Sequence, residues 1–221
     1  AMFDADSDGA AEHVYYNGFK VASDDTGKGL YGKVAVVNLG IQHMAESCLQ
    51  GRGVMIDLRT HCGDERRMVG YDEHMAIMKK DDVEVSAADL VCLHTGFADP
   101  IVAAATAPDL EPVGAVCTVL DENDRKLLNW ISESGLTALI SDNVAVEQSS
   151  SFAREMAESG PVLPLHEHCL FKVGVPLGEL WHLSKLNVWL RENRRSRFFL
   201  TAPPLSVPGA VGSPATPVST V

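Results

Sequence analysis

Three short apolar runs, each closed by polar or turn-forming residues, recur along the chain: "VMIDL" at Val54–Leu58, "DLVCLHTGF" at Asp89–Phe97 and "LTALISDN" at Leu136–Asn143. Apolar runs of this length bounded by Gly, Asp or Asn read as buried strands. Helical patterns lie between them. Gly40–Leu49 is amphipathic, with Gly51 and Gly53 as punctuation after it, and Ser86 is placed to cap a short turn before the second run. In "DENDRKLLNWISESG", Asp121 or Asn123 is the expected cap, Leu127, Leu128 and Ile131 share a face, and Gly135 closes the helix. Further on, "SSSFAREMAESG" (Ser149–Gly160) reads as a serine-capped helix, "LGELWHLSKLNVWLRENRRSR" as helical in its second half, and "RFFLTAPPLSV" as a last strand. Helix and strand alternating in this way predict an α/β fold with a mixed sheet.

A chain of 221 residues with 46% hydrophobic and 22% charged side chains fits one globular domain over 1–221. Its ends differ from the middle. Residues 1–18 read as an irregular acidic arm, and 203–221 as a Pro/Gly-rich segment whose composition alone suggests a flexible end. The net charge of −12 repels phosphate backbones and excludes nucleic acid as a partner. The cluster of Arg191, Arg194, Arg195 and Arg197 reads as a solvated helix end. Five cysteines without CxxC spacing suit free thiols of a cytoplasmic protein. With neither a membrane-length apolar run nor a signal segment, no membrane association is expected. No GxSxG, P-loop or GxGxxG sequence occurs, so serine hydrolases, nucleotide hydrolases and dinucleotide enzymes lose their usual motifs.

Chemistry-bearing residues gather in three places. "PLHEHCLFKVGVPLGELW" sets His166, Glu167 and His168 ahead of an apolar run and Glu179 after a Gly-Val-Pro-Leu-Gly turn. Imidazole and carboxylate from different elements can converge on a metal or a catalytic water, while the plainer reading is a helix cap beside surface polar residues. The N-terminal arm holds Asp4, Asp6, Asp8, Glu12 and His13; "DADSDGAAEHVY" follows a calcium loop at its first, third, fifth and sixth positions but ends in Tyr15 instead of glutamate. Such oxygen donors with one imidazole suit a divalent ion shared with residues from elsewhere. Asp142 and Asn143, and likewise His94 in "HTGF", end strands where α/β proteins place functional groups or simple turns.

Six blocks in order, "YYNGF", "LGIQHMAESCLQGRGVMIDLR", "ADLVCLHTGF", "LISDNVAVEQ", "LPLHEHCLFKVGVPLGELWHLSKL" and "FFLTAPPLSVPGAVGSPATPVSTV", resemble the successive blocks of the cyclase family, which includes bacterial kynurenine formamidase and isatin hydrolase. The resemblance runs from Tyr15 to Val221. It implies a swivelling β/β/α domain, a homodimer or homotetramer, an ordered tail ending in a strand, and a Zn or Mn site that hydrolyses an amide or lactam C–N bond in a small aromatic or cyclic metabolite. By the same resemblance His166 is a metal or catalytic histidine and Glu179 a metal-linked carboxylate. Tyr16, Asn17, Asp142 and Asn143 are then the substrate-binding candidates.

The family's His-x-Gly-Thr-His-x-Asp motif is absent ahead of "YNG". In one register Asp4 takes the place of the motif aspartate and Asp8 that of the following histidine; in another Asp8 is the aspartate and His13 a displaced histidine with a catalytic role. Either a segment upstream of this chain completes the motif or the metal centre is rebuilt. A rebuilt centre leaves two other expectations: a metal-independent cyclase, dehydratase or isomerase using Asp and His as acid and base, or a non-catalytic binder of small molecules.

Overall fold

The computed structural model describes residues 2–3, 7–19, 38–105, 116–148 and 161–221. Asp4 and the helix expected at Ser149–Gly160 lie outside the described residues. Contacts resolve the single domain expected from sequence into two compact units, Ala1–Gly51 with Leu200–Thr220, and Arg52–Phe199 with Val221.

In the smaller unit, the described part of the acidic arm holds regular elements where an irregular arm is expected. Strand β1 (Met2–Phe3) pairs antiparallel with β2 (Glu12–His13), Met2 opposite His13 and Phe3 opposite Glu12. The chain can double back because Ser7 and Gly9 adopt left-handed backbone, at φ 61° and 89°, and Asp8 Oδ1 accepts the Ala10 amide at 2.8 Å. A 3-10 turn, Tyr16–Gly18, follows, and then helix α1 (Ile41–Ser47), where an amphipathic helix is expected.

The larger unit begins within β3 (Gln50–Asp57) and continues through α2 (Leu58–Cys62), β4 (Arg67–Val69), α3 (Tyr71–Lys80), β5 (Leu90–His94), α4 (Ala98–Ala104), β6 (Thr118–Leu120), α5 (Arg125–Glu133) and β7 (Ala138–Ser141). Helix α6 (Pro164–His166) runs on into a π-helical stretch, Glu167–Val173, and is followed by β8 (Leu177–Gly178), α7 (Ser184–Glu192) and β9 (Arg197–Thr201). The sheet order is β9-β3-β5-β7-β8. Strands β3, β5, β7 and β8 are parallel, with Val54 opposite Val91, Val91 opposite Leu139, and Leu139 opposite Leu177. Their carboxyl ends therefore share one edge, which places Asp57, His94, Ser141 and Gly178 side by side. A second, two-stranded parallel sheet joins β4 to β6, and Leu120 of β6 bridges to Glu147.

The three apolar runs are buried as expected, and α3 and α5 cover them through Ile77, Met78, Leu127 and Ile131. The cap of α5 is neither Asp121 nor Asn123. Asp121 Oδ1 is committed to a preceding turn, accepting the Asn123 amide at 3.0 Å, and Asp124 caps the helix by accepting from Lys126 N and Leu127 N at 2.9 and 3.4 Å. Its other oxygen accepts the Tyr71 amide at 2.7 Å, so one carboxylate stitches the starts of α3 and α5 together. The C-terminal segment is ordered despite its composition. Pro204 and Ala215 form an antiparallel bridge, Ser213 Oγ donates to Leu205 O, and the chain ends in β10 (Val218–Thr220). All five cysteines are free thiols, and no described helix is long and apolar enough to cross a membrane.

His74 on α3 is fully buried with both ring nitrogens unpartnered, its ring edge-on to Trp130 at 4.8 Å. Burial pushes its pKa down from 6.5 to about 4. The folded chain thus holds a neutral ring where the unfolded chain takes up a proton, so this contribution to stability is present above pH 6.5 and is lost as pH falls towards 4. Urea unfolding is expected to show lower stability at pH 5 than at pH 7. His74→Phe should reduce that difference and raise stability by about 1 kcal/mol; an identical pH dependence in the two proteins would refute the assignment. Asp124→Ala should cost about 1–2 kcal/mol in the same assay, through loss of the cap shared by both helices.

Candidate active site

Pro164 opens α6 at its first helical position and has no amide hydrogen, so the unsatisfied donors of the first turn are the amides of Leu165 and His166. Glu147 takes both. Its Oε2 accepts Leu165 N at 2.8 Å and its Oε1 accepts His166 N at 2.7 Å. Oε1 also lies 2.6 Å from His166 Nδ1, which places a proton on Nδ1 and points Nε2 away from Glu147. The Glu147 side chain is wholly buried, so this carboxylate is compensated by protein donors alone.

On the far side of the ring, His166 Nε2 stands 3.2 Å from Glu179 Oε1. The pair is close enough for strong electrostatic attraction but lacks hydrogen-bond alignment, and Glu179 Oε1 is buried with no hydrogen-bond partner. Burial opposes protonation of His166, yet Glu147 and Glu179 together outweigh it and hold the ring's pKa up at about 9. Glu122 adds a third carboxylate to the neighbourhood. Burial, and then the charge of Glu147, raise its pKa, and its Oε2 is buried without a partner.

The structure brings His166 and Glu179 together, the pair that the family resemblance implies, and adds Glu147, which sequence reasoning passed over. The only local signal for Glu147 is a lone acid directly after the apolar Val144-Ala145-Val146 run. Glu167 and His168 have other partners: Glu167 pairs with Lys172 at 3.3 Å, and His168 Nε2 lies 2.8 Å from Ser132 Oγ on α5. Asp142 and Asn143 are buried and bonded to protein. Asp142 accepts from Thr95 N, Thr95 Oγ1 and Gly96 N at 2.8, 2.6 and 2.7 Å, while burial raises its pKa against these bonds. Asn143 Nδ2 donates to Thr118 O, and its Oδ1 accepts Val144 N. Both therefore lock strand ends together, the turn-like alternative raised by their position.

In the smaller unit, Asp8 is exposed in the turn of the β1–β2 hairpin, Tyr16 and Asn17 are exposed on the 3-10 turn, and His13 lies on β2. Among the described residues, no group of three or more His, Cys, Asp and Glu side chains is arranged to hold a metal ion. Two features still suit His166 and Glu179 to one. The ring has its Nδ1 held by a carboxylate, the usual support of a metal-binding histidine, and Glu179 Oε1 is a buried acceptor without a donor.

No family model matches the sequence, and no curated protein matches it. Solved structures do. A novel cyclase is 28% identical with a TM-score of 0.66, covering 82% of this chain and 56% of its own. Isatin hydrolase A from Ralstonia solanacearum is 17% identical with a TM-score of 0.57, covering 82% of this chain and 64% of its own. A potential metal-dependent hydrolase with cyclase activity is 17% identical with a TM-score of 0.50, covering 77% and 65%. The chain therefore spans a little over half of the cyclase and under two thirds of the other two. The mixed α/β fold is the one these cyclase-family structures share, and it agrees with the family that the sequence blocks resemble.

Proposed function

We propose that this chain carries the late part of a divalent-metal hydrolase centre acting on the amide or lactam C–N bond of a small aromatic or cyclic metabolite. The observation that carries the reading is the Glu147–His166–Glu179 array: an imidazole fixed from behind by a buried carboxylate and faced by a second carboxylate that lacks a donor. His166 Nε2 and Glu179 Oε1 would hold a Zn or Mn ion together with donors from outside the array. Such an ion supplies Lewis acidity and lowers the pKa of its bound water. The protein's own contribution is positional. Glu147 keeps His166 in the tautomer whose Nε2 faces the site, while the ring stays partly exposed. The relatives named as isatin hydrolase and metal-dependent hydrolase support the reaction class. An assembly of two or four copies is part of the same proposal.

Elemental analysis of protein purified without chelator is expected to find a transition metal, lost in His166→Gln. Glu147→Gln should weaken its binding by about 10–100-fold while the fold persists by circular dichroism. Protein that stays metal-free after incubation with Zn and Mn salts would refute the centre. A panel of aromatic amides and lactams should show hydrolysis that chelator abolishes and added metal restores. Turnover unaffected by chelator would instead favour acid–base chemistry by His166 and Glu179 without a metal.

A further inference from the structure

A second polar array, which shares no residue with the Glu147–His166–Glu179 centre, lies on the carboxyl edge of the parallel strands. Asp57 ends β3, His94 ends the adjacent β5, and Ser184 opens α7. Asp57 Oδ1 lies 2.9 Å from His94 Nδ1, and His94 Nε2 lies 3.1 Å from Ser184 Oγ. Asp57 and His94 are buried, whereas Ser184 is half-buried. We propose that Ser184, His94 and Asp57 form a nucleophile–base–orienter array, making Ser184 an acyl-accepting nucleophile towards small activated esters, independent of metal.

The orientation of each member has a physical cause. Asp57 caps α2 through Thr60 N and accepts Thr60 Oγ1 at 2.6 Å and Asn187 Nδ2 at 2.9 Å, with Arg191 Nη1 at 3.0 Å. These bonds keep it ionised and leave Oδ1 aimed at His94. A proton on Nδ1 shared with Asp57 makes Nε2 the acceptor facing Ser184. Ser184 is the first residue of a helix with no side-chain cap, so the amides of the first turn are donors available to a developing oxyanion. Asp99 also accepts from the Ser184 hydroxyl, but its charge is already met by Arg59 Nη1 at 2.6 Å and His182 Nε2 at 3.0 Å. In the reactive state the hydroxyl turns its one proton from Asp99 to His94 Nε2, leaving Asp99 to Arg59 and His182.

With an ester, Ser184 Oγ bonds to the carbonyl carbon as its proton moves to His94 Nε2. The bond to the leaving alcohol breaks as that proton is delivered to the departing oxygen. Water then attacks the acyl group, giving its proton to His94, which returns it to Ser184 Oγ as the carboxylic acid leaves.

The test uses the purified chain in excess chelator, so that metal chemistry plays no part. A fluorophosphonate probe should phosphonylate Ser184 with loss of fluoride, read by peptide mass spectrometry, and p-nitrophenyl acetate should give a burst of nitrophenol. Ser184→Ala should abolish both. His94→Gln should slow labelling by about 100-fold or more, with circular dichroism confirming that each variant is folded. Absence of label at Ser184 overturns the proposal. So does labelling at an undiminished rate in folded His94→Gln, which would make Ser184 merely an exposed hydroxyl.

Discussion

The arrangement of the candidate active site depends on one buried carboxylate. Glu147 accepts two amides of the α6 first turn and the Nδ1 proton of His166, so a single side chain caps a helix and fixes the ring that the helix presents. Burying a carboxylate costs several kcal/mol unless its lone pairs are filled. Here three N–H donors and the positive end of the helix fill them. Because Pro164 contributes no amide, the donors offered are those of Leu165 and His166, and the geometry of capping and of ring orientation become the same geometry. The π-helical continuation, with its own wider spacing, follows immediately after.

The second constraint is the parallel sheet. Four parallel strands end on one edge, and each ends in a polar residue or is followed by one: Asp57 on β3, His94 on β5, Asp142 after β7 and Glu179 after β8. Asp142 shows that position alone does not make a functional group. Its oxygens accept from Thr95 and Gly96, tying the ends of β5 and β7 together. Glu179 differs because its Oε1 is buried with no hydrogen-bond donor. The distinction lies in how much hydrogen-bonding capacity the protein itself consumes, and that depends on neighbours from other strands.

This also marks what the sequence made legible. The β3, β5 and β7 runs, the α5 pattern and the helix ending near Arg191 could be read because apolar periodicity is local. His166 and Glu179 are paired by the family resemblance, because their spacing alone leaves a helix cap beside surface polar residues open. Glu147 could not be read, since its partners lie across a different segment and nothing in its neighbours encodes an α6 first turn. The α5 cap was misplaced by a few residues for a related reason: Asp121, Asn123 and Asp124 are all competent caps, and the Tyr71 amide, a long-range partner, singles out Asp124. The arm's hairpin leaves no sequence pattern, because its strands are only two residues long and depend on left-handed backbone at Ser7 and Gly9.

Charge balance then separates the centre at His166 from an ordinary ion-pair network. Glu147 and Glu179 flank a single imidazole, and Glu122 stands close enough to Glu147 for that charge to raise its pKa. One imidazolium cannot neutralise three carboxylates, and the helix end contributes only a partial charge. Asp89, by contrast, is a buried acid of the larger unit that meets a full cation, Arg52, at 2.6 Å. No lysine or arginine pairs with Glu147 or Glu179 among the described residues, and the unpartnered oxygens of Glu122 and Glu179 are what such a deficit leaves behind. A divalent cation held by Glu179 and His166 would displace the Nε2 proton, adding one net charge while giving the unpartnered Glu179 oxygen a partner.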